Sequence, residues 1–401
     1  MKYNIKKTYK RFLMRILLIL VMLVFTSSFT FAKSATELKK LWQKPFGGSE
    51  DDMAYAVAAT SDGGCVVAGD TRSMGKGKTD VLILKMDKEG TIQWKKVFGK
   101  ERKDSAEAIV ETSDGFIVAA GTSKSYNESG NYDIYVVKLD QSGKTIWQKT
   151  FGGAGKDYAR AMTKTDDGGV VIAGTTKSYG SGSYDFYVTR LNSEGNKVWS
   201  NTYGGEDLDS AYGIDATSDG GFIVVGTTES YGAGNSDFYI VKLDADGKEQ
   251  WTQVYGEKKA DALYAVKELD DGYALAGETR SYDSQKRDLN VMKIDKTGKL
   301  LFHKLFGLKN HEYARGIELT DAGNFLVAGV TKSMGNGRAD FYLLELDQKS
   351  GKLNWANVYG GKKNDIVRGM AKVKDGGFVI VGESESFGEG GFDFYMLKLG
   401  H

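Results

Sequence analysis

Seven side chains at one recurring position offer the sequence its clearest opportunity for chemistry: Tyr55, Glu107, Arg160, Tyr212, Tyr264, Arg315 and Arg368. Small residues flank most of them, as in Ala54/Ala56, Ala106/Ala108, Ala159/Ala161, Ala211/Gly213 and Ala314/Gly316. An arginine presents a planar fork that matches carboxylates and phosphates, and a tyrosine presents a flat face for sugars or rings. Gathered around one axis, these seven would form a ligand-binding ring for an anionic glycan or another anionic ligand. The plainer alternative is that they fill gaps between repeats or pair with neighbouring acids, the usual fate of periodic side chains in a repeat protein.

Other polar residues recur more strictly. One acidic set is Asp80, Asp133, Asp185, Asp237, Asp288, Asp340 and Asp393, accompanied by Ser73, Ser125, Ser178, Ser230, Ser281, Ser333 and Ser386. A second set is Asp52, Asp104, Asp157, Asp209, Asp261, Glu312 and Asp365. Calcium would want several such oxygens, but no copy has the dense D-x-D-x-D spacing of a calcium loop. Capping of free backbone N–H groups in glycine-rich loops accounts for both sets, and no metal site is expected.

Catalytic signals are sparse. The histidines are His303, His311 and His401, none at metal-ligand spacing, although His311 lies in a loop that reaches the expected working face. Cys65 stands where other copies hold Ile117, Val170 and Phe222, so it reads as a small buried hydrophobe. The GSGSYD and GAGNSD segments lack the following helix that gives phosphate-binding glycine motifs their meaning. No catalytic residues and no cofactor are assigned. The enzyme alternative is a carbohydrate-active hydrolase or lyase that pairs Glu107 with one of the ring aspartates.

The elements that must position these residues follow from a strong internal period. Trp42, Trp94, Trp147, Trp199, Trp251 and Trp355 share one repeat position, with Phe302 in the remaining copy; successive intervals are 52, 53, 52, 52, 51 and 53 residues. Each copy contains four strand-like runs, here lettered a to d: in one copy YARAMTK, VVIAGTT, DFYVTRLN and NKVWSNTYG. Short turns of the DDGG and LNSEG kind join a to b and c to d, with glycine supplying positive φ. Strand c is apolar on both faces, as in a sheet packed between two others. Strand a carries small residues where space is least. The expected fold is all-β, a seven-bladed β-propeller with four antiparallel strands per blade. The last copy stops after strand c, and a spare strand d, Leu38 to Phe46, stands near the N-terminus. Pairing between them would close the ring and remove two open sheet edges. The d–a and b–c loops would then share one face, the expected working surface.

Residues 1–32 read as a signal peptide: they hold six bases, all before the apolar run Ile16 to Phe25, and no acids, with cleavage expected after Ala32 or Ala35. An uncleaved anchor is the alternative; the apolar core is short for a span. The propeller would occupy 33–401, secreted or held in the cell envelope, with no membrane span after cleavage. Without the leader, 48 bases face 53 acids, so nothing marks a nucleic-acid binder. The 52 glycines with one proline and one cysteine fit many tight turns and no disulfide framework.

The repeat W..(F/Y)GG...D.A......DGG..V.G.T.S.G....D.Y..KLD..G resembles the bacterial and archaeal β-propeller repeat family of secreted and surface proteins, over residues 38–400. The resemblance implies an exported scaffold without a shared reaction, so no catalytic residue carries over. The segment LDQSGKTIW, Leu139 to Trp147, also looks like the tryptophan-docking motif of quinoprotein-type propellers. The chain departs from those dehydrogenases in having seven copies and one cysteine where they have a vicinal pair. Outer-membrane assembly scaffolds are a looser analogy. The expected function is non-catalytic binding of a partner protein or an extracellular or cell-wall polysaccharide, as a monomer.

Overall fold

A computed structural model describes residues 38–126, 130–282, 284 and 286–401. The leader expected over 1–32 lies outside these residues. The strands form seven four-stranded antiparallel sheets, each ordered a-b-c-d from the axis outwards. Strands a are Asp52–Ala59, Asp104–Glu111, Asp157–Lys164, Asp209–Ala216, Asp261–Leu269, Glu312–Leu319 and Asp365–Lys372, which number blades one to seven. Strands b and c are buried almost throughout, for example Val170–Thr176 and Asp237–Leu243. Strands d, such as Lys197–Tyr203, form the half-exposed outer wall.

This burial follows from packing sheet on sheet. Apolar side chains from adjacent blades meet in shared clusters: Ile223 and Val225 of blade four lie with Leu263 and Leu275 of blade five. Near the axis the taper is real, because a Cβ on Gly213 would sit 2.9 Å from the Tyr264 carbonyl oxygen of the next blade.

The tryptophans lock neighbouring blades together. Trp147 of blade two donates its indole N–H to the Ser193 carbonyl in the c–d turn of blade three, at 3.1 Å. Its ring covers Gly195, whose φ of +72° and lack of a side chain allow the contact; a Cβ would approach the ring to 2.9 Å. Lys138 of blade two donates to the same carbonyl at 3.1 Å. Trp199 and Arg190 of blade three repeat this on Ala245.

Strand-c cations, buried except for the half-buried Arg190, hold the a–b turns as well. Lys85, Lys138, Arg190, Lys242, Lys293 and Lys398 of strands c pair with Asp62, Asp114, Asp167, Asp219, Asp271 and Asp375. Blade six breaks the pattern with Glu345, which accepts from Asn324 and from the Trp355 indole.

Ring closure follows the expected route. Strand Lys39–Phe46 pairs antiparallel with Asp393–Gly400, setting Trp42 opposite Lys398 and Phe46 opposite Phe394. Trp42 and Lys398 both donate to the Lys88 carbonyl of blade one, each at 3.2 Å. The seam between chain ends thus uses the same lock as Trp147 and Trp199 do at their interfaces. Among the described residues no helix is long and apolar enough to cross a membrane.

Candidate functional site

The d–a and b–c loops share one face, tied by parallel bridges such as Thr79 with Lys103 and Ser236 with Ala260. Both acidic sets sit at its base and cap loop N–H and hydroxyl groups, while Oδ1 of Asp80, Asp237, Asp340 and Asp393 is buried without a partner among the described residues. Asp80 Oδ2 accepts the Lys76 and Gly77 N–H groups, each at 2.8 Å. Asp157 accepts the Gly153 N–H at 2.9 Å and the Ser178 hydroxyl at 2.6 Å. These are the capping contacts that glycine-rich loops require.

The two sets also meet. A Cβ on Gly99 would lie 1.9 Å from Asp80 Oδ1 and 2.8 Å from Asp104 Oδ2, so the glycine leaves room for two carboxyls side by side. Burial, followed by the Asp209 carboxylate, pushes Asp185 up to about 6. Among the described residues no group of three or more His, Cys, Asp or Glu forms a metal site.

The seven axial side chains are set apart by the backbone. In every strand a the register slips around one residue: between Ala54 and Ala56, Ala106 and Ala108, Ala159 and Ala161, and Ala211 and Gly213. It slips likewise between Leu263 and Ala265, Ala314 and Gly316, and Val367 and Gly369. The skipped residues are Tyr55, Glu107, Arg160, Tyr212, Tyr264, Arg315 and Arg368. A β-bulge leaves one residue without a ladder partner and re-aims its side chain. Seven bulges aim seven side chains at the axis, where they line a cavity of about 460 Å³.

The three arginines are not equivalent there. Arg160 forms an ion pair with Glu107. Arg368 grips Glu383 of strand b with both prongs, at 2.9 and 2.6 Å. Arg315 has no carboxylate among the described residues; it stacks on Tyr264 at 4.0 Å and Tyr313 at 5.1 Å, and its Nε is buried without a partner. Tyr212 extends this wall, 5.2 Å from the Tyr264 ring.

A second cleft of about 300 Å³ opens beside the axis at blades one to three, lined by Tyr55, Asp70, Arg72, Glu107, Tyr132, Tyr158 and Arg160 among others. Tyr55 donates to Asp70 at 3.4 Å. Burial first, and then the Glu107 carboxylate, push Asp70 up to about 7. Asp70, Glu278 and Glu383 occupy one strand-b position that elsewhere holds Thr122, Thr175, Thr227 or Val330. Comparing the copies at that position would have found these acids. It would also have found the buried cation that gives way to Glu345 in one blade. The bulges leave no such trace.

Of the histidines, His311 lies on the working face, where the Arg287 backbone N–H donates to its Nδ1 at 3.3 Å. His303 is half-buried against Tyr282 and Phe238. Cys65 is buried, and burial pushes its thiol up to about 12, far from a nucleophile's range.

Comparison with known proteins agrees on architecture. A family model described as a domain of unknown function (DUF5122) beta-propeller matches residues 112–144, 165–197 and 217–248. These matches, with the seven blades, support a β-propeller repeat family. The regulatory protein FlaEY of Caulobacter vibrioides is 24% identical over 334 residues, covering 77% of this chain and 33% of that protein. The chain therefore spans about a third of the length of that curated relative. Among solved structures, the WD40 β-propeller domain of Doa1 is similar with a TM-score of 0.56 at 12% identity, covering 91% of this chain and 97% of that one. A fungal alcohol oxidase in complex with copper has a TM-score of 0.51 at 12% identity, covering 91% and 76%. At such identities the likeness is one of fold.

Proposed function

We propose that this chain is an exported, non-catalytic binding module that receives a partner protein or an extracellular or cell-wall polymer at the mouth of its central channel. One observation carries the reading. Seven bulges deliver seven non-uniform side chains to one cavity. A bulge repeated only to satisfy packing would take the same residue each time. Export rests on the basic-apolar character of residues 1–32.

The test is capture from the producing cells with the full chain as bait, beside a variant carrying Tyr55→Ser, Tyr212→Ser and Tyr264→Ser. A partner or polymer held by the parent and released by the variant supports the reading. Equal capture by both, with the variant folded, removes the mouth from the function.

A second reading has its own observation: Asp70 and Glu107 share a cleft in unequal surroundings, one carboxyl raised by burial and the other ion-paired with Arg160. Paired acids in unequal environments are what glycoside cleavage uses. Release of reducing sugar from cell-wall glycans, abolished by Asp70→Asn, would establish it; no turnover on any glycan bound by the protein dismisses it.

A further inference from the structure

Around the mouth, charge is spent on one side and unspent on the other. Arg160 and Arg368 are neutralised by Glu107 and Glu383. Arg315 is the axial cation without an acid among the described residues, braced by two tyrosine faces with one N–H unpaired. Stacking of this kind holds a guanidinium in place and leaves its edge free for an oxyanion.

From Arg315 a basic path leads outwards. Arg315 shares its strand with Tyr313 and Glu312, and His311 immediately precedes them. His311 receives the Arg287 N–H, and its own carbonyl accepts the Lys332 N–H at 2.9 Å. The Arg287 guanidinium meets Glu278 only at 3.3 Å. Arg280, Lys286 and Lys332 make no ion pair among the described residues. Burial first, and then the charges of Arg287, Lys286, Lys332 and Arg280, hold the His311 imidazole below its usual range. Arg287 and Lys332 thus flank His311 through their backbones, from the loops of blades five and six.

We infer that the mouth takes a carboxylated glycan, with one sugar carboxylate on Arg315, sugar faces against the Tyr212–Tyr264 wall, and the chain leaving between blades five and six over Arg287 and Lys332. A spaced series of carboxylates on rigid rings fits both halves of the path: the axial fork with its aromatic wall, and the cationic rim. A neutral glycan would leave Arg315 unpaired, and a compact anion would use the fork alone. This assignment rests on the binding role proposed above and names its ligand class.

The experiment is binding of a uronate hexasaccharide to the full chain, beside its carboxyl-reduced neutral counterpart, an acidic polypeptide and inorganic phosphate. The uronate should bind at least about tenfold more tightly than any of the others, since a charge-assisted bidentate contact is at stake. Arg315→Gln should lose about tenfold or more, while Lys197→Gln, exposed on the outer wall of blade three, should lose no affinity. If Arg315→Gln does not fold, the double variant Arg287→Gln/Lys332→Gln carries the test through weaker binding and a shallower salt dependence. Nuclear magnetic resonance of His311 supplies a separate readout: a bound carboxylate at the rim should raise its titration midpoint. Equal binding of the neutral glycan, tighter binding of the polypeptide, undiminished binding by Arg315→Gln, or an unmoved His311 would each overturn the assignment. Failure of the uronate while the tyrosine variant still releases a captured partner would reject this ligand class and leave the binding role standing. Equal capture by parent and tyrosine variant would remove both.

Discussion

The loop bases and the channel mouth are built from the same repeat and treat it in opposite ways. At the loop bases each blade contributes the same pieces: a carboxyl before strand c, another before strand a, a serine and a glycine, joined by backbone hydrogen bonds such as those to Asp80 and Asp157. At the mouth each blade contributes one bulged residue, and these are three arginines, three tyrosines and one glutamate. Uniformity marks the part whose duty is identical in every blade. Variety marks the part that faces something without sevenfold symmetry. The difference separates building from binding within one chain.

The comparison can be broken first on the building side. Deleting residues 33–46 removes the outer strand of blade seven and the Trp42 lock on Lys88. It exposes the edge of Asp393–Gly400, so loss of cooperative folding is expected, read by circular dichroism during thermal melting. A melting temperature equal to the parent's would refute closure as a stabilising device.

Next in size are the loop carboxyls and turn aspartates. Asp237→Ala frees the Ala233 and Gly234 N–H groups and should cost about 2–3 kcal/mol in denaturant unfolding. Asp219→Ala leaves Lys242, which is 3% exposed, without its carboxylate, and should cost up to about 3 kcal/mol. Lys242→Met removes the buried charge as well and should stay within about 1 kcal/mol of the parent. If Lys242→Met is the worse of the two, the pair is a net stabiliser and the account of it is wrong.

Smaller again is the response to pH. Asp185 and Asp70, at about 6 and about 7, hold protons more tightly folded than unfolded. The folded state therefore binds extra protons between pH 4 and 7, and this contribution to stability grows as pH falls through that window. Asp62 and Asp219, lowered to about 2, work oppositely: their contribution is present above pH 4 and is lost as pH falls towards 2. Stability should therefore peak below neutrality. Asp70→Asn should flatten the slope between pH 4 and 7, measured as unfolding midpoints in urea; an unchanged slope would remove Asp70 from the titration.

The architecture was legible because packing constraints repeat. A tryptophan every fifty-odd residues, glycine turns and a spare strand at Leu38–Phe46 determine blade count and closure without long-range information. The seven mouth residues were legible as a varying position among constants. Their arrangement was not. A bulge has no side-chain signature, since Ala54-Tyr55-Ala56 reads as ordinary strand, and the added twist emerges only when strands pair. Nor did residue type distinguish Arg315 from Arg160 and Arg368. Their partners, Glu107 and Glu383, come from a different blade or a different strand, joined by folding. Of the two readings open in the sequence, pairing with neighbouring acids holds for Arg160 and Arg368, while Arg315 makes no ion pair among the described residues.

The most direct measurement pairs melting with capture for one variant, Tyr55→Ser, Glu107→Gln, Arg160→Gln and Arg315→Gln together, against the parent chain. If the mouth is for binding, the variant should melt within a few degrees of the parent, because the altered side chains lie off the ladder and outside the blade cores, and it should release the parent's ligand. A variant that unfolds, or that folds and keeps the ligand, would contradict the division between building and binding.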